Sequence, residues 1–431
     1  MRKIAAWEFL TLNAYFFGLS FLWNSLHVII LPTVLLLYVP DEQKNGVLGV
    51  LTAAGLVIAM ITQPVAGAVS DRWASRWGRR RPMILGGTLL DLAFLGIMAL
   101  AAGIPGLAAG YVGLQFSSNT AHGPAQGLLP DRVPPDQLGR ASAVKSAFDM
   151  LGLIAASLLM GMFLREDGSN RFAAMLIIVG VLLASAVVTL AGSREPDSRP
   201  SATTRPLSLG TGGMFRVDWN RAPGFAWLIV SRFVFLAGVY GIQAFAQYYI
   251  RDTFPGDNPV ELTGNLMAVI ALSLTAFAFG SGWLCDRFGR KPLHGLASLL
   301  VAGGSLLMIS AHTPEMVLLC GSIIGAGAGV FITSNWALAT DLAPQAEAGK
   351  FLGLTNLATA GAGAFSRLTG PGLDWINNRY PGANYGYTTL FVSSAVFALL
   401  ALLVLARVPE RLRKPTGILP AEPKSQPPEI G

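Results

Sequence analysis

Twelve runs of mainly apolar residues, bounded by charge, Pro or Gly, punctuate this 431-residue chain, and a membrane-spanning helix needs only about 20 such residues. The runs fall near residues 7–38, 47–70, 83–103, 105–128, 139–164 and 171–192, then near 222–250, 261–285, 292–312, 314–339, 349–376 and 385–408. Little chain is left over for a water-soluble domain. Charged residues make up 13% of the sequence, about half the roughly 25% of soluble domains, which argues against a soluble enzyme. The expected fold class is an all-α membrane protein. The first run is too long for a signal peptide and has no small-residue cleavage site, so it reads as an uncleaved span.

An even number of spans places both termini on one side. With the termini inside, the inner segments hold 23 of the 31 Lys and Arg, while the outer loops hold only Lys44, Arg165, Arg171, Arg251 and Arg379. The positive-inside rule therefore makes both termini cytoplasmic, in an integral multi-pass protein of the cell membrane. The net charge of +7 follows from these flanking residues, with no groove-sized basic patch for nucleic acid. Cys285 and Cys320 fall near opposite ends of two different spans, too far apart for a disulfide. The expected domains are a six-helix bundle at residues 1–192, a flexible cytoplasmic linker at 193–221, a second bundle at 222–408 and a disordered tail at 409–431.

The two halves repeat one another. After span 2 come Gly67, Asp71-Arg72 and Gly78-Arg79-Arg80-Arg81-Pro82; after span 8 come Gly282, Asp286-Arg287 and Gly289-Arg290-Lys291-Pro292. A second echo sets Asp131 nine residues before Arg140, and Asp341 nine before Lys350. A twofold internal repeat is a signature of transporters. The glycine lets neighbouring helices approach, and the acid can pair with an Arg or with a helix N-terminus. Contacts of this kind that form only while the cytoplasmic side is closed would be latches. Arg76 and Arg81 read more simply as topology anchors.

This loop in both halves of a twelve-span chain resembles the major facilitator superfamily. Gln63-Pro64, Gly67, Ser70-Asp71-Arg72, Ser75-Arg76 and Gly78-Arg79-Arg80-Arg81-Pro82, with Asn119 and Gly123-Pro124 before Asp131, are similar to the sucrose-transporter and glycoside:cation symporter branch. The resemblance implies two pseudo-symmetric six-helix bundles around a central cavity, lined by the first and fourth helix of each half, with alternating access by rocking. One departure stands out. Where the sucrose transporters carry an acid implicated in proton coupling, this chain has Gln115, which cannot exchange a proton.

Polar residues inside spans face protein or water. Asn13, Ser20, Asn24 and His27 share one face of span 1; Gln115, Asn119, His122 and Gln126 share one of span 4; Tyr240, Gln243, Gln247 and Arg251 share one of span 7. Span 10 offers Thr333, Ser334, Asn335 and Trp336. Such a lining suits a neutral polyhydroxylated solute, whose hydroxyls need donors and acceptors while its ring faces stack on aromatics. The alternative is interhelical glue. His27 and His122 read as hydrogen-bonding residues rather than metal ligands, and no cofactor motif stands out.

Few ionisable residues lie within the runs. Lys145 and Asp149 are one turn apart on span 5, either neutralising one another or supplying a displaced protonatable carboxyl. Arg232 in span 7 could hold a substrate oxygen, pair with Asp149 or snorkel; Arg367 in span 11 could seek an acid. The sequence thus points to a secondary active transporter, not an enzyme, working as a monomer on a small solute, a sugar or glycoside, with a proton or another monovalent cation. An exporter of amphipathic molecules, with Phe16, Phe17, Trp23 and Trp336 as a greasy pocket, and a transport-dead receptor remain as alternatives.

Overall fold

The computed structural model describes residues 4–193, 195, 197–198, 223–343 and 348–408, with residues 223, 348–350 and 352 in backbone only. Twelve long helical rods run in chain order: α1 (Ala6–Leu35), α2 (Lys44–Ser70), α3 (Arg81–Ala99), α4 (Ile104–Arg132), α5 (Leu138–Phe163) and α6 (Arg171–Gly192), then α7 (Pro223–Thr253), α8 (Pro259–Phe288), α9 (Arg290–Ile309), α10 (Pro314–Leu342), α11 (Ala348–Arg367) and α12 (Tyr385–Leu405). Ten are apolar and long enough to cross a membrane unaided. The other two are α4 and α11, which carry the polar stripe around Gln115 and a run rich in Thr, Asn and Gly. Such helices cross a bilayer only by turning their polar faces inward.

Each half packs by the same plan. In the first, α1 lies against α5 and α6, α4 against α2 and α3, and α3 against α6; in the second, α7 lies against α11 and α12, α10 against α8 and α9, and α9 against α12. The halves meet symmetrically too, α5 against α8 and α2 against α11. Backbone contact replaces side-chain contact at these crossings. A Cβ on Gly264 of α8 would lie 2.4 Å from Ser157 O of α5, and one on Gly49 of α2 would lie 2.1 Å from Arg367 O at the end of α11.

Two prolines shape the rods near that interface. Pro32 cannot donate to Val28 O, which leaves that carbonyl without its α-helical donor, and the neighbourhood relaxes into a π turn at Ser25–Ile30. Gln247 of α7 meets that need. With its amide oriented to satisfy both faces, it donates to Val28 O (2.9 Å) and Ile29 O (3.0 Å) and accepts from Thr33 Oγ1 (2.6 Å). In the second half Pro371 likewise cannot donate to Arg367 O, so the run expected at 349–376 is broken after Arg367 and resumes as a short helix, Gly370–Arg379.

The linker expected at 193–221 lies largely outside the described residues, as do the tail at 409–431 and the Lys350 side chain. The start of that linker is docked, contrary to the flexible segment its composition suggested. Glu195 Oε2 accepts from Arg80 N (2.9 Å) and Arg81 N (3.1 Å), capping the N-terminus of α3, and Ser75 N donates to Ser198 Oγ at 2.9 Å. Gly78, at φ +93°, makes room for it, since a Cβ there would lie 2.2 Å from the Glu195 side chain. Gly289 holds the matching φ of +90° in the second copy of the loop.

Candidate functional site

The centre of the molecule is built on α4 and α1. Tyr111, Gln115 and Asn119 are spaced one turn apart on α4 and bond in series: Asn119 Nδ2 donates to Gln115 O (2.7 Å), and Gln115 Nε2 donates to Tyr111 Oη (2.7 Å). The π turn of α1 brings His27 onto the end of this ladder, with Nε2 2.8 Å from Tyr111 Oη and 3.3 Å from Gln115 Nε2. Trp23 stacks on His27, ring centroids 5.0 Å apart. An aromatic face beside a line of amide, phenol and imidazole groups is what a polyhydroxylated ring needs from a binding surface.

The facing half contributes cations. Arg367 donates Nη1 to its own helix at Gly363 O (2.9 Å), in a neighbourhood shared with Leu56 of α2 and Tyr240 of α7. It stands within electrostatic reach of His27, Tyr111 and Tyr240. Nearer the termini, Arg232 of α7 is enclosed by α10 and α11. Its Nη1 donates to Asn335 Oδ1 (2.6 Å) and its Nε to Thr359 Oγ1 (3.0 Å) and Thr355 O (3.2 Å). It therefore does not pair with Asp149, whose partner is Lys145 at 2.7 Å. Lys145 also lies over the Phe16 ring, 4.5 Å from its centroid, and Phe16 meets His122 edge-on at 6.0 Å. Ser20 Oγ donates to Asp149 O at 2.6 Å, tying α1 to α5 beside this pair.

Not every polar residue of the stripes joins this centre. Asn13 is fully buried and donates to Phe9 O on its own helix (2.8 Å), and Asn24 donates to Ser20 O (2.8 Å). Gln247 is engaged with the α1 backbone, and Arg251 pairs with Asp41 (2.6 Å) at the interface of the halves. Gln126 is exposed and bonds His122 at 3.2 Å. Gln243 is half-buried, and Trp336, adjacent to Asn335 and so turned about 100° from it, is 44% exposed. Tyr111, Thr355 and Thr359 were missed. Tyr111 was legible, being one turn before Gln115; the threonines sit in a run whose own helix the sequence did not mark as polar.

The charged loops assemble within each half. Arg80, 7% exposed, bonds Asp131 Oδ2 through Nε (2.9 Å), reaches Gly67 O (3.2 Å) and contacts both Asp71 and Ser70; Arg79 also pairs with Asp131. This joins the end of α2 to the end of α4, where Gly123 lies so close that a Cβ would sit 2.3 Å from Gln63 O. In the second half Arg290 pairs with Asp341 and donates to Ala337 O (2.9 Å), joining α9 to α10. Three expectations change here. Asp286 is exposed and makes no ion pair among the described residues, Arg287 lies over the Trp283 and Phe288 rings, and Gly282 has open space rather than a close neighbour. Arg72 Nη1 is buried without a partner among the described residues, and Arg140 is exposed.

All bonds described between the halves lie at the end away from the termini. Lys44 pairs with Asp252 (2.6 Å), Tyr248 Oη donates to Pro32 O (3.0 Å), and Asp374 accepts from Asn45 N (3.2 Å), Asn45 Nδ2 (2.8 Å) and Gly46 N (2.6 Å). Asp374 thereby caps the N-terminus of α2 from the opposite half. This is the closed end.

The sequence model of the Major Facilitator Superfamily matches residues 9–367 and 258–428. The sucrose transport protein SUT3 of Oryza sativa subsp. japonica is 25% identical over 338 residues, 66% of this chain and 65% of that protein, so the chain spans just under two thirds of its length. The minor myo-inositol transporter IolF of Bacillus subtilis (strain 168) is 28% identical over 200 residues, 45% of this chain and 42% of that protein. Among solved structures, a D-xylose-proton symporter superposes with a TM-score of 0.72 at 16% identity, covering 94% of this chain and 99% of the other. A bacterial homologue of the human lysosomal transporter Spinster, in an inward-facing and unoccupied conformation, gives 0.73 at 16%, covering 93% and 96%. With two pseudo-symmetric six-helix bundles and a charged loop repeated in each, the chain belongs to the Major Facilitator Superfamily, whose members are membrane transporters and not enzymes.

Proposed function

We propose that this protein is a secondary active transporter of a sugar-like solute, coupled to protons, in the cell membrane with both termini cytoplasmic. The observation that carries the reading is the Trp23, His27, Tyr111, Gln115 and Asn119 cluster, where an aromatic face adjoins a hydrogen-bonding ladder at the level where the two halves face one another. The sucrose and inositol transporters among its relatives support the same class of solute. In this orientation the conformation is inward-facing, with the solute entering or leaving between the termini-side ends of the helices. Solute-exchange counterflow of labelled mono- and disaccharides and inositol in proteoliposomes tests the reading; absence of flux for every sugar and cyclitol would sink it.

Coupling rests on the Lys145 and Asp149 pair. A proton on Asp149 would release Lys145 from its only carboxylate among the described residues and free both α5 side chains to follow the rocking of the half. Asp149→Asn should abolish stimulation of uptake by a pH gradient while leaving counterflow within about threefold of the parent. Gradient-driven uptake unchanged in that variant would remove the proton from the mechanism.

A further inference from the structure

Resting on the sugar-like reading above, we infer that the solute carries an anionic group, a carboxylate or a phosphate, and that Arg367 is its anchor. The argument is one of charge balance. Arg232 lies within α7 and Arg367 at the end of α11, both inside apolar runs where an unneutralised cation is costly, and among the described residues neither meets a carboxylate: the bonds of Arg232 go to Asn335, Thr359 and Thr355 O, and that of Arg367 to Gly363 O. The acids on other spans and at the closed end are already engaged. Asp149 holds Lys145, Asp252 holds Lys44, Asp374 caps α2, and Asp91 is fully buried on α3 against Ser117 of α4. Among the described residues, therefore, no acid compensates these two positive charges.

Of the two, Arg367 borders the sugar-binding face, sharing the neighbourhood of Gly363 with Leu56 and Tyr240. Tyr240 is within electrostatic reach of both guanidinium groups, and His27 and Tyr111 are within reach of Arg367 as well. Arg367, with a single backbone acceptor, keeps donors free for the paired geometry in which guanidinium binds a carboxylate or phosphate. Arg232 is nearer the termini and held by three acceptors. It serves as a first point of attraction on the path of an anion moving toward Arg367. The neutral solute that the amide stripes alone suggest thus gives way to a polyhydroxylated anion.

The test compares glucose, glucuronate, glucuronamide and glucose 6-phosphate by competition in counterflow and by thermal shift, which reads ligand binding through mass action. Glucuronamide keeps the shape of the carboxylate and removes its charge. The expected result is that glucuronate or glucose 6-phosphate, whichever source the site takes, binds at least about tenfold more tightly than the two neutral compounds, the worth of one charge-assisted bond. Arg367→Gln should erase that ratio and Arg367→Lys restore part of it. Binding of the neutral sugars with no advantage for either anion would overturn this inference and leave the sugar-like reading intact; silence across the whole panel would overturn both.

Discussion

The two ends of the molecule are held together in different ways. Away from the termini the halves bond to each other, through Gly49 against Arg367 O, Asp374 on the N-terminus of α2, Lys44 with Asp252 and Gln247 on the π turn of α1. At the termini end the strong bonds stay inside each half, Arg80 with Asp71 and Asp131, Arg290 with Asp341. The repeated charged loops therefore brace each bundle as a rigid body in this conformation, and the closed gate is made elsewhere. A gate assembled from backbone contact and helix capping is one that a small change can open.

The largest effect is expected at Gly49. A methyl group at 2.1 Å from Arg367 O cannot be accommodated, and overpacking costs about 1–3 kcal/mol. Gly49→Ala should hold the end away from the termini open, raise thiol labelling of a cysteine placed at Thr33, which is buried between the halves at that end, and reduce flux by about tenfold or more; normal labelling and flux would refute the account of the closed end. Next comes Asp374→Asn, which keeps the shape but removes the charge to which two backbone N–H groups donate. A loss of about 1–2 kcal/mol should raise labelling at the same position several-fold, and no change would mean the cap is incidental. The smallest effect on stability is expected at the termini end. Asp286 is exposed and makes no ion pair among the described residues, so Asp286→Asn should leave the melting temperature unchanged; if it latches the opposite conformation, flux still falls, and unaltered flux would reduce Asp286 to a topology residue.

Much of the architecture was legible from the chain. Apolar run length gave twelve rods, Lys and Arg placement gave a candidate topology, and the double loop gave the twofold plan and the family. Part of the site was legible as well, because Gln115 and Asn119 sit at helical spacing and His27 lies on the face of Ser20 and Asn24. What failed were partnerships. Gln247 looks like a lining residue by periodicity, yet Pro32 on a different helix leaves a carbonyl that claims it. Asp71 and Asp286 look equivalent, yet only the first has an arginine folded back onto it.

The sequence alone determined the number of helices, the repeat and the chemical types available inside the membrane, because these follow from hydropathy and spacing along one chain. Only the tertiary structure decided which end is closed, which acids are already neutralised and that, among the described residues, Arg232 and Arg367 are not. Those depend on distances between residues hundreds of positions apart, such as Asn45 and Asp374. Hydrogen bonds and ion pairs act over a few ångströms, and no one-dimensional pattern encodes which side chains come within that range.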